Sequence, residues 1–272
     1  MINTQDYLQR IHHPPVTQPD LLTLDKLQKA HLLAVPFENL DNHLGRPSLL
    51  NLDRIADKII YEKRGGFCYE LNGLFYLLLQ ALGFQVKMVS ARVYNAAGEV
   101  GPEFDHLALI VNIEGKEYLS DVGFGEFSFY PMPIRFGQET DDPRGKFTME
   151  RLDSGAILVS KVEDKTDPEA PVNTPEYQFT EQARAFSEFM EMCRFHSLDP
   201  TSHFAKKPMV TLPNEHGRIT IAGHKLKKTS WDNHLGLPTT TDQIIDNEQD
   251  YGKFYERYFG YSQGLGIEVF AL

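Results

Sequence analysis

The hydrophobic pattern of the chain changes its period at Gly83, and this change constrains the fold more than any other feature. Before Gly83, residues 68–82 are apolar on nearly every side, which predicts a buried helix closed by a left-handed glycine cap. Apolar residues three to four positions apart predict an earlier helix, with Thr23 as its N-cap and its end near Val35, before Pro36. The first third of the chain is therefore expected to be helical.

After Gly83, the pattern is that of β-strands rich in Val, Ile and Leu. The dipeptide Glu114-Gly115 separates two of these runs and predicts a hairpin. The predicted strands are residues 85–94, 106–113, 117–124, 147–151 and 156–162. Together they indicate an antiparallel sheet or barrel over roughly residues 85–180.

The last third of the sequence is mixed. Residues 180–196 return to a helical pattern, and one side of that helix is predicted to carry Phe186, Phe189, Met190 and Cys193. Further elements are predicted as strands at 209–212, 218–222 and 224–229 and a helix at 242–258. Helices followed by strands and then by a mixed tail are typical of an α+β protein with two or three lobes.

Composition excludes several classes of function. The 272 residues include 27 basic and 38 acidic side chains, a formal net charge of −11, so we expect no nucleic-acid partner. Residues 1–10 do not resemble a secretory signal, and no apolar stretch reaches the ~20 residues that span a bilayer, so we expect a cytoplasmic protein without a membrane partner. Two cysteines, Cys68 and Cys193, exclude a disulfide scaffold and a four-cysteine zinc site, and we expect no metal.

Cys68 is the first candidate for chemistry. It follows Gly65 and Gly66, whose freedom of conformation allows a tight turn into the predicted helix. A thiol at the start of a helix is close to unpaired N–H groups and to the positive end of the helix dipole, both of which favour the nucleophilic thiolate. The alternative is a buried cysteine that only fills space.

The predicted hairpin supplies a base and a carboxylate for this thiol. With a two-residue turn, His106 faces Gly123 and Ala108 faces Asp121, so His106 and Asp121 become diagonal neighbours on one face. A shift of one residue would separate them. Asp105 is a rival carboxylate, but adjacent residues of a strand point to opposite faces. The predicted triad is therefore Cys68, His106 and Asp121.

The stretches that carry these residues resemble the arylamine N-acetyltransferases. They are Val-Pro-Phe-Glu-Asn-Leu at 35–40, Arg-Gly-Gly-Phe-Cys-Tyr-Glu-Leu-Asn at 64–72, His-Leu at 106–107 and Tyr-Leu-Ser-Asp-Val-Gly-Phe-Gly at 118–125. Residues 195–204 match more weakly. The chain lacks the long insertion that follows the barrel in mammalian members, so it is similar to the prokaryotic type.

The resemblance implies a three-part fold with a core like that of the cysteine proteases. It assigns residues 1–84 to a helical bundle with the catalytic cysteine, 85–190 to a β-barrel with the catalytic His and Asp, and 191–272 to an α/β lid. It also implies a ping-pong reaction in which Cys68 takes an acetyl group from acetyl-CoA and passes it to the nitrogen of an aromatic amine or hydrazine. In that reaction His106 is the base and Asp121 orients it.

The resemblance further implies residues that bind the two substrates. Phe37, Val93 and Phe124 are expected to hold the flat acceptor ring, which aromatic side chains suit by stacking. For CoA, the backbone N–H groups of Gly123 and Gly125 are candidates for the pyrophosphate. Phe204 is a further candidate for binding CoA. An acidic protein also needs a locally positive entrance for an anionic substrate, and the candidate patches are Lys206 with Lys207 and Lys225 with Lys227 and Lys228. The oligomeric state stays open.

Two other functions fit the same residues. A thiol hydrolase or a transglutaminase-like enzyme uses the same Cys-His-Asp constellation, and would act on peptides or glutamine without CoA. An aromatic-ligand binding protein would contain Cys68 only as a buried side chain.

Overall fold

The computed structural model describes residues 2–46, 50–163, 172–231 and 238–261. Its helices are α1 Thr4–Arg10, α2 Leu21–Ala34, α3 Leu40–His43, α4 Leu52–Ala56, α5 Cys68–Ala81, α6 Met190–Leu198, α7 His203–Lys206 and α8 Glu248–Phe259. Its strands are β1 Phe37–Glu38, β2 Gln85–Val93, β3 His106–Ile113, β4 Lys116–Ser120, β5 Met132–Pro133, β6 Glu139–Asp142, β7 Gly145–Arg151, β8 Ile157–Glu163, β9 Val172–Phe179, β10 Met209–Asn214, β11 Gly217–Ala222, β12 Lys225–Trp231 and β13 Pro238–Ile244. The predicted α+β class is confirmed.

The helical first third follows the sequence-based prediction closely. Helix α2 ends at Ala34 with Val35 as its C-cap, and α5 is buried along most of its length. Gly83 has a φ of +89°, as a left-handed residue after a helix requires. The predicted N-cap Thr23 is wrong, because the side chain of Asp20 accepts the backbone N–H of Thr23 at 2.8 Å and caps the helix three residues earlier.

The central strands form an eight-stranded antiparallel sheet that curls into a nearly closed barrel. The order is β5-β4-β3-β2-β9-β8-β7-β6, and apolar side chains fill its interior. The predicted hairpin has the predicted register, since Ile113 faces Lys116 across a two-residue turn. Strand β4 ends at Ser120 instead of continuing to residue 124. Helix α5 packs against β2 and β3, which brings the start of the helix to one end of this barrel.

The C-terminal strands form a second antiparallel sheet in the order β1-β10-β11-β12-β13. Its edge strand β1 comes from the N-terminal region, so this sheet connects the two ends of the chain. The helix predicted at 242–258 begins only at Glu248, after the N-cap Asn247, because residues 238–244 pair with β12 as a strand. β-Branched threonines at 239–241 favour that extended conformation.

The helix predicted at 180–196 is also shorter than expected. Arg184 pairs with Met88 as an isolated bridge, Phe186–Phe189 is a 3₁₀ turn, and the α-helix begins at Met190. Phe189 and Cys193 are buried as predicted, whereas Met190 is exposed because the 3₁₀ turn rotates it away from the core.

The described ranges contain neither a membrane-spanning helix nor a metal-binding cluster. No helix in them has the length and apolar character needed to cross a bilayer. Over the same residues, no three or more His, Cys, Asp or Glu side chains are grouped so that they could hold a metal ion. Polar side chains are buried where α5 meets the barrel, among them Asn72, His106 and Asp121.

Candidate active site

The start of α5 holds Cys68 as its first helical residue. Gly65 has no room for a side chain, because an added Cβ would collide with the carbonyl oxygen of Pro36. Glu70, in the first turn of the helix, accepts the backbone N–H of Phe67 at 3.1 Å and so fixes where the helix begins. The close turn before Cys68 and the cap after it together set the position of the thiol.

A buried ionic network supports this turn. The carboxylate of Glu38 accepts Nε and Nη2 of Arg64 at 2.9 and 2.7 Å and the N–H of Gly65 at 3.0 Å. Lys58 donates to Glu70 at 3.0 Å, which ties the helix cap into the same region. Sequence reasoning did not assign a role to Glu38, because its partners lie more than twenty residues away.

His106 and Asp121 meet beyond the last paired residues of the β3–β4 hairpin. Nε2 of His106 lies 2.7 Å from Oδ2 of Asp121, and both side chains are buried. Asp121 directly follows the end of β4 at Ser120, so the strand register brings it beside His106 although Asp121 itself is not paired. The predicted contact between these two side chains is confirmed.

Four donors hold the carboxylate of Asp121. Oδ2 accepts His106 and the hydroxyl of Tyr177, the latter at 3.0 Å. Oδ1 accepts Nδ2 of Asn72 at 2.8 Å and the backbone N–H of Gly123 at 2.9 Å. Because each oxygen has two partners, the carboxylate has one orientation, and the imidazole bonded to it is oriented too.

Asn72 and Tyr177 both bond to Asp121, and sequence reasoning missed them. Asn72 lies four residues after Cys68 and so occupies the same face of α5, a spacing from which it could have been found. Its Nδ2 also donates to the carbonyl of Leu107 and its Oδ1 accepts the N–H of Val122, which joins the helix to β3 and to the segment after β4. Tyr177 comes from β9, and no local pattern predicts which strand pairs beside β2.

The thiol of Cys68 is almost fully buried and forms no disulfide. Burial raises the pKa of Cys68 well above its usual value, and the carboxylates of Asp105 and Asp121 act in the same direction. A hydrogen bond with the backbone of Tyr69 lowers it, but burial outweighs that effect. The helix start alone therefore does not favour the thiolate as the sequence suggested.

Asp105, the rival carboxylate, has a different partner. Its Oδ1 lies 2.9 Å from Nε2 of His196, on α6. The backbone carbonyl of Asp105 accepts the hydroxyl of Tyr69 at 3.1 Å. The choice of Asp121 over Asp105 as the partner of His106 is confirmed, and its reason is the alternation of side chains along an extended chain.

The predicted acceptor-binding residues lie in different parts of this region. The ring of Phe124 packs edge-on against His106, with 5.1 Å between centroids. Phe37 forms an isolated β-bridge with Gly66, in the turn before Cys68. Its ring centroid lies 5.9 Å from that of Phe204. Val93 packs with Phe124 against the apolar interior of the barrel. Phe37 therefore lies near the turn that leads to Cys68, and Phe124 lies against His106.

Gly123 has a structural role that the sequence did not indicate. Its N–H donates to Asp121 at 2.9 Å, and its contact with a pyrophosphate stays a prediction. A Cβ at this position would lie 2.8 Å from Cα of Cys68 and from Nδ2 of Asn72, so glycine is needed for the loop to approach the helix. The reason for glycine is close packing inside the triad.

The remaining CoA candidates are at the surface near this site. Gly125 is exposed, and Lys206 and Lys207 are exposed at the end of α7. Asn39 donates through Nδ2 to the carbonyls of Phe204 and Lys207 at 2.7 and 2.9 Å, which fixes α7 beside the turn that leads to Cys68. The structure leaves their role in CoA binding as a prediction.

Comparisons with known proteins agree with this geometry. A family model described as N-acetyltransferase matches residues 20–263. A pineal gland isozyme of arylamine N-acetyltransferase from Gallus gallus is 30% identical over 263 residues, which cover 91% of this chain and 90% of the relative.

Solved structures give the same result. The arylamine N-acetyltransferase of M. smegmatis has 27% sequence identity and a TM-score of 0.86, with 100% of this chain and 97% of that chain covered. The Mycobacterium marinum enzyme in complex with CoA has 26% identity and a TM-score of 0.83, with 95% and 93% covered. Because the family model matches most of the sequence and a relative at 30% identity spans nearly all of it, this chain belongs to the arylamine N-acetyltransferase family, whose members are acyltransferases.

Proposed function

We propose that the protein transfers an acetyl group from acetyl-CoA to the nitrogen of arylamines and arylhydrazines by a ping-pong reaction through acetyl-Cys68. The observation that carries this proposal is the His106–Asp121 pair, held by four donors to Asp121 beside the start of α5. A buried thiol with a raised pKa needs such a base.

The first half-reaction forms the acetyl-enzyme. Nε2 of His106 is bonded to Asp121, so Nδ1 is the nitrogen that takes the proton of the Cys68 thiol. The thiolate attacks the thioester carbonyl of acetyl-CoA, the carbon–sulfur bond to CoA breaks, and CoA leaves with the proton held by His106. One thioester replaces another, so this step is close to balanced in energy.

The second half-reaction transfers the acetyl group to the acceptor. The amine nitrogen attacks the carbonyl of acetyl-Cys68, His106 takes a proton from that nitrogen, and the Cys68 thiol is restored. Phe124, in contact with His106, and Phe37, beside the turn before Cys68, would hold an aromatic ring near the thioester. Val93 would line the barrel side of the same space.

CoA binding is supported by the related Mycobacterium marinum enzyme, whose structure is a complex with CoA. In this chain, Gly123, Gly125, Phe204, Lys206 and Lys207 remain our candidates for contacts with it. Region 1–84 would then supply the nucleophile, and region 85–190 the base and its carboxylate. Region 191–272 would form the α/β lid. Neither cysteine forms a disulfide, which fits a reducing compartment, and we propose the cytoplasm.

Acetylation of Cys68 is the direct test of the ping-pong route. With acetyl-CoA and no acceptor, peptide mass mapping should find one acetyl group on Cys68, and an arylamine added afterwards should remove it. The Cys193→Ala protein is the matched control, since its acetylation should be unchanged. An unmodified Cys68, or turnover of peptides or glutamine without CoA, would reject this route in favour of a thiol hydrolase or transglutaminase-like enzyme.

The pH dependence of alkylation tests the role of His106. Burial raises the pKa of Cys68, so without a partner the thiolate is scarce at pH 7. Replacing His106 by Gln should therefore move the alkylation midpoint of Cys68 above ~8.5, the usual value for cysteine, whereas the parent protein should react at lower pH. Iodoacetamide labelling followed by mass spectrometry measures both profiles.

Coinciding profiles would show that His106 does not activate the thiol. A slow reaction in both proteins, together with an unchanged function in Cys68→Ala, would instead favour an aromatic-ligand binding protein.

A further inference from the structure

Two buried arginines lie near each other where the barrel meets the C-terminal sheet. Arg144 directly precedes β7, Arg218 lies in β11, and their relative exposures are 7% and 6%. Burial and the charge of Arg218 lower the pKa of Arg144 to about 9. Burial lowers the pKa of Arg218 to about 10.

Three guanidinium nitrogens of this pair lack a hydrogen-bond acceptor within the described part of the chain. They are Nε and Nη2 of Arg144 and Nε of Arg218, all of them buried. A buried N–H group without an acceptor is costly, and native proteins rarely leave one. Glu126 is the acid that faces both arginines, but its Oε1 is 3.7 Å from Nε of Arg218, too far for a hydrogen bond, and its side chain is half exposed.

The other polar groups around the pair are already occupied. The carboxylate of Asp142 accepts three backbone N–H groups, those of Phe129, Tyr130 and Arg144, at 2.9 to 3.1 Å. It therefore contributes charge to this region but no direct hydrogen bond to a guanidinium among the contacts described.

Arg218 and Arg144 are each held in place by other contacts. Nη1 of Arg218 donates to Oγ1 of Thr211 at 2.8 Å, and Nη2 donates to the carbonyl of Gly125. The guanidinium of Arg144 lies over the rings of Phe129 and Trp231, at 5.0 and 4.4 Å. Since the rings cover its faces, its remaining donors point outward in the guanidinium plane.

We propose that Arg144 and Arg218 form a binding site for an oxyanion of the phosphate class. A tetrahedral oxyanion has several acceptor oxygens, so one group can accept from both guanidinium groups and offset their repulsion. A water molecule would supply acceptors without charge. Gly125 and Glu126 are exposed, so they form the outer side of this site.

The site is connected to the triad through one short loop. Arg218 bonds the carbonyl of Gly125, and the N–H of Gly123, two residues earlier, bonds Asp121. The oxyanion is either a free phosphate or a phosphate group of CoA, and the second source rests on the proposed function. Both sources share the chemistry that the two arginines recognise.

Binding of inorganic phosphate tests the site without reference to catalysis. At constant ionic strength set with sodium chloride, phosphate should raise the Tm of the parent protein along a saturable curve. Arg144→Gln and Arg218→Gln should each weaken this binding about tenfold or more, because each removes charge-assisted hydrogen bonds. Arg151→Gln, at the exposed end of the same strand β7, is the matched control and should behave as the parent.

A variant that is expected to bind phosphate more tightly keeps the test decisive if the arginine variants misfold. Glu126→Gln removes the carboxylate that competes with the anion, so phosphate affinity should rise about two- to fivefold. Phosphate also stabilises proteins non-specifically, but that increase in Tm is linear in concentration, does not saturate and is the same for all variants.

Titration with CoA separates the two sources. If CoA carries the oxyanion, phosphate should compete with CoA in calorimetry, and Arg144→Gln should weaken CoA binding about tenfold but not the binding of acetyl-pantetheine, which has no phosphate. If the ligand is a free anion, phosphate and CoA should bind together. The proposal is overturned if phosphate stabilises all proteins alike without saturation and Arg144→Gln leaves CoA affinity unchanged. These titrations measure binding alone, so their result does not depend on whether Cys68 is acetylated.

Discussion

Replacement of Asp121 by Asn should lower the rate of Cys68 acetylation by about 10³- to 10⁴-fold, the scale seen when the carboxylate of a nucleophile–His–Asp triad becomes an amide. Both oxygens of Asp121 only accept, and four donors point at them. An amide must turn its NH₂ toward two of these donors. If the NH₂ group faces His106, Nε2 of His106 must become an acceptor and its proton moves to Nδ1. His106 can then no longer take the thiol proton.

Stopped-flow release of CoA without acceptor measures this rate. Tyr177→Phe is the matched control, because it removes one donor to Oδ2 and leaves the carboxylate and the tautomer of His106 intact. We expect that variant to lose about tenfold or less, because Asp121 keeps its charge and its three other donors. An Asp121→Asn protein within tenfold of the parent would remove Asp121 from the mechanism.

Replacement of Glu38 by Ala should lower the free energy of unfolding by about 3–5 kcal/mol, the usual cost of breaking a buried ion pair from one side. Glu38 is fully buried and accepts Arg64 twice, the N–H of Gly65, and the hydroxyl of Tyr261 at 3.2 Å. Burial lowers the pKa of Arg64, but the charge of Glu38 and its hydrogen bonds more than compensate. Without Glu38 this buried guanidinium keeps Asp41 as its remaining described carboxylate partner.

Urea unfolding followed by circular dichroism measures the loss. Glu139→Ala, which removes an exposed partner of Lys146, is the control and should cost at most about 1 kcal/mol. Glu38→Gln keeps the shape of the side chain and should fall between the two. Equal losses for Glu38→Ala and Glu139→Ala would show that the network does not stabilise the turn before Cys68.

Local pattern predicted the elements that hold the triad. The apolar run from Cys68 and the turn at Glu114-Gly115 fixed a helix start and a strand register, and both are confirmed. Apart from the N-cap of α2, the predictions that were wrong lie where tertiary contacts compete with local preference. Residues 242–244, predicted as the start of a helix, extend a strand because β12 offers a partner.

The charge state of the site could not be predicted from local pattern. A helix start favours a thiolate, but the packing of α5 against the barrel buries Cys68 and raises its pKa. Burial depends on which distant segments cover a group, so this sign appears only in the assembled protein.

The sequence by itself determined where the helix with Cys68 begins and how His106 meets Asp121, because turns and strand alternation act over a few residues. The proposed triad follows from such short-range rules. Only the tertiary structure decided what surrounds them: Asn72 and Tyr177 on Asp121, Glu38 beneath the turn, and Gly123 against the helix. These contacts join segments far apart in the chain, and their choice depends on packing and on satisfying buried polar groups, which no local pattern records.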